Sequence, residues 1–86
     1  MNYRLVFKEL TYVEYKVLTY CLLHKRDKWS HMDYGRWLGL EYGTALANWN
    51  KGIDALIREG YMVKEGFELK WNREKIKEVL KEEKFD

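Results

Sequence analysis

Residues 33–62 read DYGRWLGLEYGTALANWNKGIDALIREGYM, and how this stretch divides into helices decides the fold. Tyr34, Trp37 and Leu38 fit a short helix that starts at Asp33 or a neighbour, and Gly39 is placed to end it in the left-handed conformation. Thr44 suits the N-cap of a longer helix running to Glu59, followed by Gly60 where a helix end needs a residue tolerant of positive φ. On a 100° wheel Leu46, Trp49, Ile53, Leu56 and Ile57 share one face and belong to a core. Thr44, Asn48, Lys51, Ala55 and Arg58 fall on the opposite side. That row offers two cations, an amide able to pair bidentately with an adenine edge, and small residues that permit close approach to a groove floor.

Upstream, Thr11 and Glu14 make a capping-box pattern, with Leu10 and Tyr15 placed as a hydrophobic staple, so a helix begins at Tyr12 and runs to about His24. Its sequence, YVEYKVLTYCLLH, is apolar on nearly every side, which predicts a helix buried centrally or shared with a partner chain. Before it, Tyr3, Leu5 and Phe7 alternate with Arg4, Val6 and Lys8, the pattern of a short strand or extended lead-in. Downstream, YMVKEGFELK at 61–70 reads as two strands turning at Glu65-Gly66, with glycine in the second turn position. Asn72 can cap a last helix over about 72–84, with Trp71 and Ile76 in staple positions and Ile76, Val79 and Leu80 as its apolar stripe. The expected fold is mainly α with a small β-hairpin: a three-helix core and hairpin over 11–70, then a C-terminal helix, as a single domain spanning 1–86.

Composition narrows the function. Eighty-six residues, 47% hydrophobic with 4 Trp, 7 Tyr and 3 Phe, supply one modest core and no second domain. A single cysteine, Cys21, cannot make an internal disulfide, MNYRLVFKEL lacks a leader pattern, and no apolar run approaches membrane-spanning length. A soluble, cytoplasmic protein without membrane association is expected. Sixteen Lys and Arg against 14 Asp and Glu give a net charge of only +2, so any contact with nucleic acid must be local. Residues 61–86 are neutral, whereas HKRDKW at 24–29 holds three cations and one anion.

DYGRWLGL (33–40) resembles the second helix and turn of the winged helix-turn-helix family, and GIDALIREGYM (52–62) resembles the end of its third helix running into the wing. The resemblance covers roughly residues 11–70 and implies that the third helix enters the major groove of double-stranded DNA with Thr44, Asn48 and Lys51. It also implies phosphate contacts from Tyr34, Arg36 and Tyr42, and a role as a small transcriptional regulator or a replication or partition factor of phage or plasmid type. Such proteins bind two half-sites as homodimers. The first helix with the N-terminal strand, or the last helix with Phe85, offers apolar material for that contact.

Further cations extend the candidate interface. Arg58 continues the outer row, and Lys64 in the wing can reach phosphate, although Glu65 and Glu68 oppose it. Lys25, Arg26 and Lys28 either anchor a nucleic-acid backbone or form a solvated helix end that suits the dipole. Gly35, in mid-helix, costs about 1 kcal/mol against alanine, so it predicts a close crossing of the second and third helices, with Ala45 and Gly52 admitting a second close contact. Two features depart from the family. Gly39 to Gly60 exceeds its common spacing by roughly four residues, about one helical turn, so either the turn is a longer loop or the third helix starts earlier. Glu41 and Asp54 make that helix less basic than its counterparts.

The rival reading is a protein-interaction module on the same frame, since a fold does not fix a function. Near-neutral charge favours it, as do the tryptophans: Trp29 and Trp71 are interface candidates, while Trp37 and Trp49 take core positions. Cys21, His24 and His31 fall short of the four ligands of a structural zinc site, so no metal or cofactor is expected. No nucleophile–base order, phosphate loop or pair of carboxylates in an apolar setting appears, so no catalytic residues are assigned and an enzyme is not expected.

Overall fold

The structure, a computed structural model, describes residues 9–84, with side chains through residue 78. Helix α1 spans Tyr12–Leu23 and starts at the capping box: Thr11 Oγ1 accepts from the Glu14 amide at 3.3 Å, and the Glu14 carboxylate accepts from the Thr11 amide at 3.0 Å. Leu10 is buried and Tyr15 packs against the core, as staple residues should. A 3-10 turn at Arg26–Lys28 leads into α2, His31–Leu38. This helix starts two residues before Asp33, because Ser30 is its cap: Ser30 Oγ accepts from the Asp33 amide at 3.1 Å. Gly39 ends it at φ 71°, in the left-handed region.

Helix α3 spans Tyr42–Arg58, and an antiparallel hairpin of β1 (Met62–Glu65) and β2 (Glu68–Trp71) follows. Helix α4, Arg73–Lys84, ends the described chain. The chain is therefore mainly helical with one two-stranded hairpin among the described residues. The lead-in expected at Tyr3, Leu5 and Phe7, and the Phe85 contact, lie outside those residues.

The core forms where α1 and α2 cross α3. Val17, Leu18, Tyr20, Tyr34, Trp49, Leu56 and Met62 fill it, so α3 is the central helix, and α1 buries one face while Tyr12 and Leu23 are exposed, against the expectation of burial on nearly every side. Two glycines set the crossings. A Cβ on Gly35 would stand 2.8 Å from the Ala45 Cβ, and one on Gly52 would run into Val17. Gly35 thus lets α2 approach α3, and Gly52 lets α1 do so. Trp37 departs from its expected core position: it is 41% exposed at the rim, its ring 5.3 Å from Tyr20 and 5.7 Å from His24. Leu46 is likewise only half-buried.

The hairpin turn lies one residue further along than expected. Its central pair is Gly66-Phe67, between the paired Glu65 and Glu68, with glycine first and at φ 64°. Positive φ at the first central position alone is the requirement of a type II′ turn, whose twist suits a hairpin. At the other end Asn72 fastens the hairpin. Its amide donates to the Tyr61 carbonyl at 2.8 Å and its Nδ2 to the Gly60 carbonyl at 2.9 Å, while its Oδ1 caps α4 by accepting from the Lys75 amide at 3.4 Å.

Candidate nucleic-acid interface

The turn between α2 and α3 is short because the extra residues become helix. Glu41 is the N-cap, in extended conformation and without a side-chain cap bond, and Ala45 donates to its carbonyl at 2.8 Å. Thr44 is therefore a first-turn residue rather than the cap, and the longer Gly39–Gly60 interval is absorbed by an earlier start of α3. Seventeen residues make this helix about 25 Å long.

The outer face of α3 is rotated from the expected one. Gly43, Thr44, Ala47, Asn50, Lys51, Asp54 and Arg58 are exposed. Ala55, expected on this face, is fully buried, and Asn48 is half-buried in a cleft beside Tyr12, Lys16, Tyr34 and Leu40. The reason is steric. The wheel assigned the core from large side chains alone, whereas Ala45, Gly52 and Ala55 carry the close helix approaches. The six residues that are buried, Ala45, Trp49, Gly52, Ile53, Ala55 and Leu56, centre roughly 60° from the large side chains alone, over half of one residue's step. Asn50 then replaces Asn48 as the amide facing solvent. That signal was present in the sequence as a row of small residues.

The other sequence-derived candidates divide. Tyr34 is 1% exposed, with its ring 5.6 Å from both Tyr20 and Trp49, so it is a core residue and not a phosphate contact. Burial raises its hydroxyl pKa, with further contributions from Cys21 and Tyr12. Arg36 is exposed and held by Asp33 at 3.0 Å. Tyr42 is 64% exposed, its ring edge-on to His31 at 5.2 Å, which ties the start of α3 to the start of α2. Lys51 and Lys64 are exposed and have no ion-pair partner among the described residues.

Arg58 is less available than its position on the wheel suggests. Its Nη2 lies 3.9 Å from Glu14, a carboxylate with only 7% of its side chain exposed, and its Nε lies 3.5 Å from Glu59. With Glu41 and Asp54 opposing Lys51 and Arg58, the outer face of α3 is electrically neutral. The hairpin behaves similarly. Lys70 donates to Glu65 at 2.9 Å, which holds the Glu65 carboxyl below and the Lys70 ammonium above their ordinary values.

Lys25, Arg26 and Lys28 are exposed on the 3-10 turn, and Arg26 reaches Glu68 of β2 at 4.0 Å. The turn is pinned to α1 by Tyr20, whose hydroxyl donates to the Lys28 carbonyl at 2.7 Å, and by Trp29, whose indole N–H donates to the His24 carbonyl at 3.0 Å. Trp29 and Trp71 pack edge-to-face at 5.4 Å, half-buried. Phe67, which the sequence reading passed over, is wholly exposed at the hairpin tip.

Cys21 is buried and its thiol pKa is pushed up by burial, while the His24 ring stacks on Tyr20 at 4.1 Å. Among the described residues no His, Cys, Asp or Glu group is arranged to hold a metal ion, and no helix is long and apolar enough to cross a membrane. Comparison of the chain with family models, curated proteins and solved structures finds no match.

Proposed function

We propose that the chain is a winged-helix protein that binds double-stranded DNA by laying the outer face of α3 in the major groove. The observation that carries this reading is that face itself: Gly43 and Ala47 leave the helix surface low, and Thr44, Asn50 and Lys51, which has no ion-pair partner among the described residues, stand around them. Small residues permit close approach to base edges, and an exposed amide beside a lysine supplies both a base-edge contact and a phosphate contact. Lys64 on the hairpin and Arg36 and Tyr42 beside the turn are the accessory contacts. A homodimer on two half-sites, serving regulation of transcription or replication and partition of phage or plasmid DNA, is the role we attach to it.

The test is selection of bound sequences from a random duplex pool, followed by fluorescence anisotropy across a salt series. Each phosphate contact contributes a slope of about −0.9 in log affinity against log salt. Enriched sequences with two-fold symmetry, and reduced affinity in Lys51→Ala and Asn50→Ala, are the expected results. A second reading rests on the neutrality of the α3 face together with Met32, Trp37 and Tyr42, which are 52%, 41% and 64% exposed. A protein surface would suit that mixture, and absence of duplex binding at low salt would transfer the assignment to it.

A further inference from the structure

Three clefts lie in succession, each sharing lining residues with the next, and together they make a groove that no residue of α3 lines. The first, of about 480 Å³, opens between the 3-10 turn and the hairpin tip at Phe67. The second, of about 440 Å³, shares Lys25, Arg26 and Trp29 with it and continues to Trp71 and Arg73. The third, of about 490 Å³, shares Trp71 and Arg73 and reaches Lys77 on α4.

The groove concentrates positive charge. Lys25, Arg26, Lys70, Arg73 and Lys77 line it against Asp27 and Glu68, a surplus larger than the +2 of the entire chain. Arg26 and Lys70 share Glu68, and Lys70 also donates to Glu65 at 2.9 Å; with side chains 52%, 41%, 59% and 64% exposed, these ion pairs are weak enough to yield to a phosphate. Aromatic rings alternate with these cations. Phe67 is 104% exposed at the tip, so its ring packs against nothing among the described residues, and the Trp29–Trp71 pair forms the middle of the floor, held in place by the Trp29 bond to His24.

The geometry points to this groove as a binding site for single-stranded nucleic acid, its phosphates along Lys25, Arg26, Lys70, Arg73 and Lys77 and its bases against Phe67 and the Trp29–Trp71 pair. Cations that track a backbone, interleaved with aromatics that stack bases, are the combination that holds single strands without sequence preference. Each cleft has the volume of a small-molecule site, enough for a base or two, and a duplex presents no free base faces to the rings. An acidic peptide would satisfy the cations but would leave Phe67 without a planar partner. The inference stands independently of any role for α3.

Anisotropy of fluorescein-labelled oligothymidylate and oligouridylate with the whole chain at low salt tests it. Both should bind and quench tryptophan fluorescence, with a slope of about −0.7 in log affinity against log salt for each phosphate neutralised. Tighter binding of one oligomer identifies DNA or RNA as the natural strand, and both outcomes support the site. Lys25→Glu with Arg73→Glu should weaken binding at least about tenfold through lost phosphate contacts. Phe67→Ala should weaken it about tenfold through loss of one stacked base, without changing the salt slope. Lys51→Ala should leave it unchanged. The three groove residues are exposed, and an unchanged melting temperature confirms that each variant is folded. No binding at low salt overturns the inference, as does undiminished binding by the charge-reversed variant. A loss of duplex affinity in the charge-reversed variant as large as its loss of oligothymidylate affinity overturns it too, as does polyglutamate binding as tightly as oligothymidylate, which marks an acidic-peptide site.

Discussion

Gly35 and Ala45 face each other across the α2–α3 crossing so closely that a carbon added to Gly35 would lie 2.8 Å from the Ala45 methyl. Helix propensity alone would have Gly35→Ala stabilise by about 1 kcal/mol, but overpacking costs about 1–3 kcal/mol, and neither backbone can give way cheaply. A net loss of about 1–2 kcal/mol is expected for Gly35→Ala, and more for Gly52→Ala, where the new carbon meets Val17. Urea denaturation of the two variants measures both.

Gly43 is the control within the same fold, since an added Cβ there meets nothing within 4 Å. Gly43→Ala should raise stability by up to about 1 kcal/mol. If α3 enters a groove of DNA, this more stable variant should bind duplex more weakly, because the methyl group stands on the face that approaches the bases. Stability and affinity moving in opposite directions is an outcome that a purely structural role for α3 does not produce.

Glu14 and Arg58 should differ in weight although they form one ion pair. Glu14→Ala removes both the reciprocal cap and a buried acceptor, for about 1–2 kcal/mol. Arg58 is 61% exposed and its loss should cost less than about 1 kcal/mol. Because its charge is already answered by Glu14 and Glu59, Arg58→Ala should also reduce duplex affinity less than Lys51→Ala. Melting curves and anisotropy on the same samples separate the two effects.

Alkaline pH should destabilise the protein. Burial raises the pKa values of Cys21, Tyr20 and Tyr34 above their ordinary 9.0, 10.0 and 10.0. All three are neutral when protonated, so above about pH 9 the unfolded chain loses protons that the folded chain retains, and stability falls as pH rises. The melting temperature should hold from neutral pH to about 8.5 and decline beyond it, with a shallower decline in Cys21→Ala whatever the absolute cost of the vacated space. A flat profile to pH 11 would contradict the burial of these groups.

What the sequence made legible follows from how local each signal is. The Thr11–Glu14 box, the Gly39 stop and the close crossings at Gly35 and Gly52 are written in a few neighbouring residues, and each is found at its position. The direction of α3's outer face was not legible from large side chains, because helices meet most closely through Ala45, Gly52 and Ala55, whose small volume carries little weight on a hydrophobicity wheel. Tyr34 could be placed on either side of α2 by its amphipathic character, and only the converging rings of Tyr20 and Trp49 decide for the interior. The start at Asp33 or a neighbour resolves to Ser30 as the cap, with Asp33 as the residue whose amide it accepts from. The groove between turn and hairpin joins residues some forty positions apart, a distance across which no periodicity operates.

The Asn72 bonds should make the hairpin tolerant of cutting. Chymotrypsin should cleave after Phe67, the exposed aromatic at the tip, yet the two halves need not separate. The β1–β2 ladder, the paired bonds from Asn72 to Gly60 and Tyr61, and the seating of Trp71 and Ile76 against the core all lie on the far side of the break. A nicked protein should elute as one particle on size exclusion and fall into two peptides only in denaturant. Asn72→Ala, with the side-chain clasp removed, should shed its C-terminal fragment far more readily. On that outcome the covalent continuity of the hairpin tip is dispensable once the chain has folded, and the tip is where the protein should tolerate splitting, tagging or lengthening.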